Sequence, residues 1–187
     1  MKENNRCPWA KEEEDIHYHD TEWGVPSRDD NYMFEMLILE GFQAGLSWNT
    51  ILKKRENFRK AFDNFNYKKI SKYNQIKLDE LMKNEGIIRN KLKINSAVTN
   101  AQAFIKIRKE YGSFSDYIWS FTNNKQIINK WENLSQVPAT TELSHKISKE
   151  LKKQGFKFVG STIIYSFLQA IGIIDDHLIS CPYKTKS

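Results

Sequence analysis

The feature that most constrains the fold is the helical periodicity of the apolar residues, which recurs along nearly the whole chain. Gly and Pro supply only 8 and 4 of the 187 residues, about half of their usual combined share. This composition therefore disfavours a turn-rich β sandwich or barrel. No repeat or linker divides the sequence, and its length is typical of one domain. The sequence predicts a single all-α domain over residues 1–187.

Apolar spacing and capping residues predict where the helices lie. The predicted segments are residues 30–40, 47–65, 77–84, a long helix between Gly86 and Gly112, and residues 113–119, 141–155 and 161–172. Residues 122–138 are polar and are predicted to be a loop with one turn. The uncharged run from Phe158 to Ile174 is short and polar for a membrane span, so we expect a buried core helix. No secretory signal is readable, and we expect a cytoplasmic protein without membrane contact.

The net charge permits a polyanionic partner without proving one. Lys and Arg total 29 against 23 Asp and Glu, which gives +6. The turn between the last two predicted helices offers a specific place for such a partner. Gly160 lets a ligand approach the backbone, the N–H group of Ser161 lies at a helix N-terminus that favours phosphate, and Lys157 adds positive charge. The alternative is that Gly155 only ends one helix and the apolar residues after it only join the pair.

The two Cys residues each lie near a His residue, at opposite ends of the chain. Cys7 precedes His17 and His19, and His177 precedes Cys181. Two thiolates and two imidazoles are a ligand set for a structural zinc site. His177 and Cys181 are four residues apart, so one helical turn could present both. The alternative is two unrelated buried thiols and surface histidines.

Glu40 is out of pattern because it shares a helical face with Met33, Met36 and Leu37. A buried unpaired charge is unfavourable, so this carboxylate should serve a ligand or be satisfied by backbone donors. The alternative is a helix-end Glu that reaches solvent beside Gly41. Glu35 lies off this stripe and is predicted to be on the surface. Aromatic residues concentrate in the same quarter of the chain and could stack on a planar base or simply form a core; they are Trp9, Tyr18, Trp23, Phe42 and Trp48.

Four segments together resemble the DNA-3-methyladenine glycosylase I family. They are residues 18–26 (YHDTEWGVP), 39–48 (LEGFQAGLSW), 86–91 (GIIRNK) and 155–160 (GFKFVG). The likeness extends from Arg6 to about Pro182. It implies a helix-hairpin-helix glycosylase fold, with the hairpin unit at about residues 142–172 gripping the DNA backbone through Lys157, Gly160 and Ser161.

The resemblance also implies roles for individual residues. One structural zinc per chain would join the segments 7–19 and 177–181 through Cys7, His19, His177 and Cys181. Glu40 matches the pocket carboxylate of the family, which we expect to be its catalytic group. Tyr18 and Trp48 match residues that contact the flipped base, and Trp9 and Trp23 match further pocket aromatics. The loop with Gln43, Gly45 and Leu46 is similar to the one that probes the gap left by the extruded nucleotide.

The implied function is base-excision repair by a monofunctional, monomeric enzyme. It would hydrolyse the N-glycosidic bond of 3-methyladenine in double-stranded DNA and leave an abasic site. Asp15 departs from the family, which commonly has a Tyr at this position. Asp175 and Asp176 are expected to cap a turn or support a metal ligand. The alternatives are a zinc-stabilised helical DNA-binding module without catalysis and a helical protein-interaction domain.

Overall fold

The computed structural model describes residues 5–185, and this part of the chain is predominantly helical. It contains nine α-helices, which are α1 (Glu13–Thr21), α2 (Asp30–Gln43), α3 (Trp48–Ala61), α4 (Tyr67–Ile70), α5 (Gln75–Lys83), α6 (Lys91–Tyr111), α7 (Phe114–Ser120), α8 (Glu142–Lys153) and α9 (Ser161–Ala170). Short 3-10 turns lie at Asp63–Phe65 and Leu134–Gln136. The strands are β1 (Ile127–Ile128) and β2 (Ile174–Asp175). None of the described helices is long and apolar enough to cross a membrane.

The predicted helix starts are confirmed at their capping residues. The side chains of Ser47, Ser113 and Thr141 each accept a hydrogen bond from a backbone N–H in the first turn of the following helix. The predicted end of α2 at Glu40 is wrong, because the helix continues to Gln43. Gly41 lies inside the helix, where an added Cβ would come within 3.3 Å of the Phe158 Cβ. This glycine allows close packing and does not end the helix.

Residues 122–138 contain a strand that the sequence did not predict. β1 pairs in parallel with β2, and Trp131 forms a further parallel bridge with Leu178. A two-residue strand is too short to show periodicity. The prediction that His177 and Cys181 lie on one helical turn is wrong, because residues 177–181 are not helical. The backbone at Leu178 pairs instead with Trp131, in the segment that begins at β1.

Helix α2 is the central element of the core. Every residue from Met33 to Phe42 is buried, and the helix contacts α3, α6, α7 and α9. The prediction of a surface position for Glu35 is therefore wrong, since the side of α2 away from the apolar stripe is covered too. Glu35 is 9% exposed and accepts a 2.6 Å hydrogen bond from the Arg55 Nε. The predicted burial of α9 is confirmed.

Helices α8 and α9 pack against each other and are joined by the turn at residues 154–160, which we call the hairpin turn. Gly155 ends α8 with a φ of +97°, and the Phe156 N–H donates to the Leu151 carbonyl. This pattern is a Schellman motif, in which a positive φ favours glycine. The Ser148 hydroxyl donates to the Val159 carbonyl at 2.6 Å. The turn is thus fixed from its inner side.

Candidate active site

A cavity of about 300 Å³ lies between α1, the C-terminal end of α2, the start of α3 and α9. Six residues singled out in the sequence line it, namely Trp9, Tyr18, Trp23, Glu40, Gln43 and Trp48. The sequence places these residues up to 39 positions apart, and the packing of α1 and α3 around α2 brings them together. The cavity is therefore the place where a carboxylate meets several aromatic rings.

The aromatic residues form a connected wall. The ring centroids of Tyr18 and Trp48 lie 5.4 Å apart, and those of Trp9 and Trp23 lie 5.0 Å apart. The indole Nε1 atoms of Trp9 and Trp48 are buried and have no hydrogen-bond partner within residues 5–185. Because buried donors are normally satisfied, these two N–H groups are available to a ligand.

Among the described residues that line this cavity, Glu40 is the only carboxylic acid. Its side chain is 3% exposed, and its Oε2 atom has no hydrogen-bond partner among those residues. Burial disfavours the charged form and raises the pKa of Glu40 to about 8. The carboxyl group is thus mostly protonated at pH 7 until a cation or a strong donor enters. Such a group favours a positively charged ligand over a neutral one.

Four further lining residues were missed in the sequence, namely Leu134, Val137, Ser166 and Gln169. Ser166 and Gln169 lie three positions apart on α9, so two polar residues on one face within the largely apolar part of this helix were the available signal. Leu134 and Val137 belong to the polar segment that was predicted to be a loop, and nothing in their local pattern points to a cavity.

Asp176 supports this wall. Its carboxylate accepts hydrogen bonds of 2.7 Å from Asn129 Nδ2, Trp131 Nε1 and Gln169 Nε2, and a further one from the Tyr165 hydroxyl. With four donors this carboxylate is fully engaged and does not line the cavity. It connects α9 to the segment that carries Leu134.

The loop after α2 is a tight turn at residues 43–46, which we call the wedge turn. The Leu46 N–H donates to the Gln43 carbonyl at 2.7 Å. Ala44 has φ −48° and ψ 116°, and Gly45 has φ +81°. These dihedrals belong to a type II turn, whose third residue favours glycine. Gln43 reaches the cavity, while Gly45 and the 40% exposed Leu46 lie outside it.

Lys157 and Gly160 lie on the hairpin turn and Ser161 is the first residue of α9, and none of the three lines the cavity. The Lys157 side chain is exposed. Gly160 is the N-cap of α9, and a Cβ added there would meet nothing within 4 Å among the described residues. The space beside Gly160 is therefore open to another molecule.

Three of the four predicted metal ligands lie together. The ligand atoms of Cys7, His19 and Cys181 are all within 4.8 Å of one another. His177 is outside this group, but its ring centroid is 4.7 Å from that of His19. His17 is exposed and belongs to another side of α1. The structure thus brings the two ends of the chain together at a group of residues that could hold a metal ion.

The surroundings of these side chains fit a metal. The Nδ1 atoms of His19 and His177 lie 2.7 and 2.8 Å from the carboxylates of Asp20 and Asp175. Metal-bound histidines are commonly oriented in this way, with the other ring nitrogen left for the ion. A hydrogen bond between the two thiols lowers the pKa of Cys181 and raises the pKa of Cys7. Cys181 is therefore the thiol that ionises more readily, and the thiolate is the metal-binding form of cysteine.

Comparison with known proteins decides the family. The family model described as methyladenine glycosylase matches residues 9–185. The chain belongs to the methyladenine glycosylase family. It is therefore an enzyme, a glycosylase, and the cavity lies within the matched region.

Two curated relatives of this glycosylase cover nearly all of it. The DNA-3-methyladenine glycosylase of Haemophilus influenzae is 50% identical over 181 residues, 96% of this chain and 98% of the relative. The DNA-3-methyladenine glycosylase 1 of Escherichia coli K12 is 45% identical over 177 residues, 94% and 95% of the two chains.

Solved structures show the same fold. A crystal structure of 3-methyladenine DNA glycosylase I has a TM-score of 0.93 at 44% identity, covering 96% of this chain and all of the other. The Staphylococcus aureus enzyme, solved to explain 3-methyladenine recognition, has a TM-score of 0.95 at 37% identity over the full length of both chains.

Proposed function

We propose that this glycosylase acts in base-excision repair of alkylated double-stranded DNA, with the cavity holding a 3-methyladenine base flipped out of the duplex. Hydrolysis of the N-glycosidic bond releases the free base and leaves an abasic site. The observation that carries the proposal is a buried carboxyl group inside a cavity of aromatic rings, whose Oε2 atom has no hydrogen-bond partner in the described part of the chain. A DNA-binding module without catalysis has no use for such a group.

Glu40 is the proposed catalytic residue. Methylation at N3 puts positive charge on adenine in DNA, which weakens the glycosidic bond and improves the leaving group. Glu40 becomes ionised when it meets this charge, hydrogen-bonds the base and favours it over neutral adenine. As the bond breaks, its electron pair leaves with the base as neutral 3-methyladenine, and water adds to the sugar carbon and loses a proton to solvent. The described residues that line the cavity include no lysine, which supports a monofunctional hydrolase without a lyase step.

The aromatic residues are the proposed base platform. Trp48 stacks on the flipped base and Tyr18 hydrogen-bonds it, while Trp9 and Trp23 complete the wall. Cation–π attraction adds to the binding of a positively charged base. The indole N–H groups of Trp9 and Trp48, which have no partner among the described residues, add hydrogen-bond donors to this platform.

Two surface turns are the proposed DNA contacts. In the wedge turn, Gln43, Gly45 and Leu46 fill the gap left by the extruded nucleotide. The α8–α9 unit, about residues 142–172, acts as a helix-hairpin-helix motif in which Lys157, Gly160 and Ser161 hold the phosphate backbone. The chain acts as a single domain and as a monomer.

One structural Zn²⁺ per chain is the proposed cofactor, held by Cys7, His19, His177 and Cys181. Two sulfur and two nitrogen donors suit a closed tetrahedral zinc site. The ion supplies a crosslink between the two ends of the chain. Trp23 lies 4.6 Å from His177 by ring centroids, so the same crosslink also supports the cavity wall.

The test of this function is a release assay on methylated duplex DNA. The purified protein is expected to liberate free 3-methyladenine, detected by chromatography, without cutting the strand. The same assay compares Glu40→Gln, which should release base more slowly, with Glu110→Gln as its matched control. Glu110→Gln removes a negative charge from the exposed side of α6 and should release base at the wild-type rate. Tight binding to methylated duplex without release would instead support the non-catalytic DNA-binding module.

A further inference from the structure

Two buried polar residues of α6 reach the two surface turns that we assign to DNA contact. Lys93 and Asn100 are seven positions apart, two helical turns, and therefore share one face. They are 7% and 3% exposed. Buried polar side chains on a long helix require partners, and both find them in backbone groups that lie in a surface turn or at the helix end that leads into it.

Lys93 holds the wedge turn. Its Nζ donates to the Phe42 carbonyl at 2.9 Å and to the Ala44 carbonyl at 2.7 Å. The last carbonyls of a helix lack intrahelical partners and favour a cation. The final turn of α2 contains no basic residue of its own. Lys93 therefore supplies from α6 the charge and the donors that α2 lacks, at the point where the chain enters the wedge turn.

Asn100 holds the hairpin turn. Its Nδ2 donates to the Lys157 carbonyl at 3.0 Å, and the Lys157 N–H donates to its Oδ1 at 2.8 Å. The next residue, Phe158, has a φ of +54°, which is unfavourable for a residue other than glycine. The paired hydrogen bonds thus fix the backbone immediately before this unusual conformation.

We infer that Lys93 and Asn100 are positioning residues that set the distance between the wedge turn and the hairpin turn, so that both engage one DNA duplex at once. The inference rests on the proposed DNA contacts of these two turns. Neither side chain is assigned a contact with the base. Each acts through backbone atoms of a turn whose own side chains meet the DNA, and α6 is the rigid element that links them.

The test separates DNA engagement from base binding. Lys93→Met and Asn100→Ala are compared with wild type for affinity toward a duplex containing a tetrahydrofuran abasic analogue, and for affinity toward free 3-methyladenine. Each variant should lose about tenfold or more in duplex affinity, the size expected for lost hydrogen bonds to a charged or buried group. Binding of the free base should stay within about twofold, because the cavity is intact. In turnover on methylated DNA, KM should rise more than kcat falls.

Lys106→Met is the matched control, since it removes one positive charge from the exposed side of the same helix. Duplex affinity equal in Lys93→Met and Lys106→Met would overturn the role of Lys93. A parallel loss of duplex and free-base affinity would overturn the inference in favour of a general role in stability. If Lys93→Met folds poorly, Lys93→Arg takes its place in the test. Arginine keeps the hydrogen-bond donors, so this variant should retain most of the wild-type duplex affinity. Leu46→Ala tests the proposed contact between the wedge turn and DNA. Wild-type duplex affinity in this variant would contradict that contact, and not the positioning role of Lys93 and Asn100.

Discussion

Replacing Glu40 with Gln should stabilise the ligand-free protein at neutral pH, although it removes the proposed catalytic group. Burial raises the pKa of Glu40 from 4.5 to about 8, so the folded protein keeps a proton that the unfolded chain has released. The folded state binds more protons, and the free energy of unfolding therefore falls as pH rises between these two values. The amide introduced by Glu40→Gln carries no titrating proton, so the variant avoids this loss.

The magnitude follows from the width of that pH window. Each pH unit between 4.5 and about 8 lowers the free energy of unfolding of the wild type by about 1.4 kcal/mol through this one group. Over about two pH units, from roughly pH 5.5 to roughly pH 7.5, the stability of Glu40→Gln relative to wild type should rise by about 3 kcal/mol. Other titrating groups are common to both proteins, so they cancel in the difference.

Urea unfolding of both proteins at about pH 5.5 and about pH 7.5, followed by circular dichroism, measures this difference. Glu35→Gln is the control, because Glu35 is buried in an ion pair with Arg55. That variant should be destabilised by about 2 kcal/mol through the loss of charged hydrogen bonds. A difference between Glu40→Gln and wild type that does not change with pH would show that Glu40 is ionised in the folded protein, and would refute the reasoning.

Two further predictions concern the structure around the site. Gly172→Ala should destabilise the protein by about 3 kcal/mol, because φ is +73° and the added Cβ would collide with the backbone of Val25. Gly155→Ala, at φ +97° in open space, should lower the free energy of unfolding by only about 1 kcal/mol. Equal losses of stability in thermal melts of the two variants would contradict the packing argument. Protein purified without chelator should contain about one zinc per chain by mass spectrometry. Chelation should lower its Tm but leave that of Cys181→Ser unchanged, whereas a wild-type Tm insensitive to chelator would argue against the site.

Most of the helices could be predicted because their signals are local, but α1 and α4 were not predicted, and the helix predicted over residues 47–65 ends at Ala61. Ser47 and Thr141 mark helix starts by capping chemistry that needs only the neighbouring backbone. The position of Glu35 could not be predicted in this way. Its burial depends on α3 covering a second side of α2, and its charge is satisfied by Arg55, 20 positions away. The short strands could not be predicted for a similar reason, since their pairing joins segments with no periodic pattern of their own.

The cavity was predictable only in part. Glu40 is recognisable because a carboxylate on an apolar stripe violates the helical pattern, and the structure places it in the cavity. Gln169 carries a weaker signal of the same kind, and Leu134 carries none. The Cys and His pairs suggest a metal by their chemistry, but the choice of His19 over His17 needed the family resemblance. The structure agrees with that choice, because His19 lies beside both cysteines and His17 is exposed. The DNA contacts proposed for the wedge turn and the hairpin turn remain predictions.

The most direct test of the central claim is the rate at which free 3-methyladenine is released from methylated duplex DNA by wild type and by Glu40→Gln. Loss of the ionisable carboxyl group should reduce kcat/KM by about 10- to 100-fold, the value of a charge-assisted hydrogen bond, while the variant remains folded and binds the abasic duplex. Release at the wild-type rate by Glu40→Gln would contradict the account of how this cavity recognises and excises a methylated base.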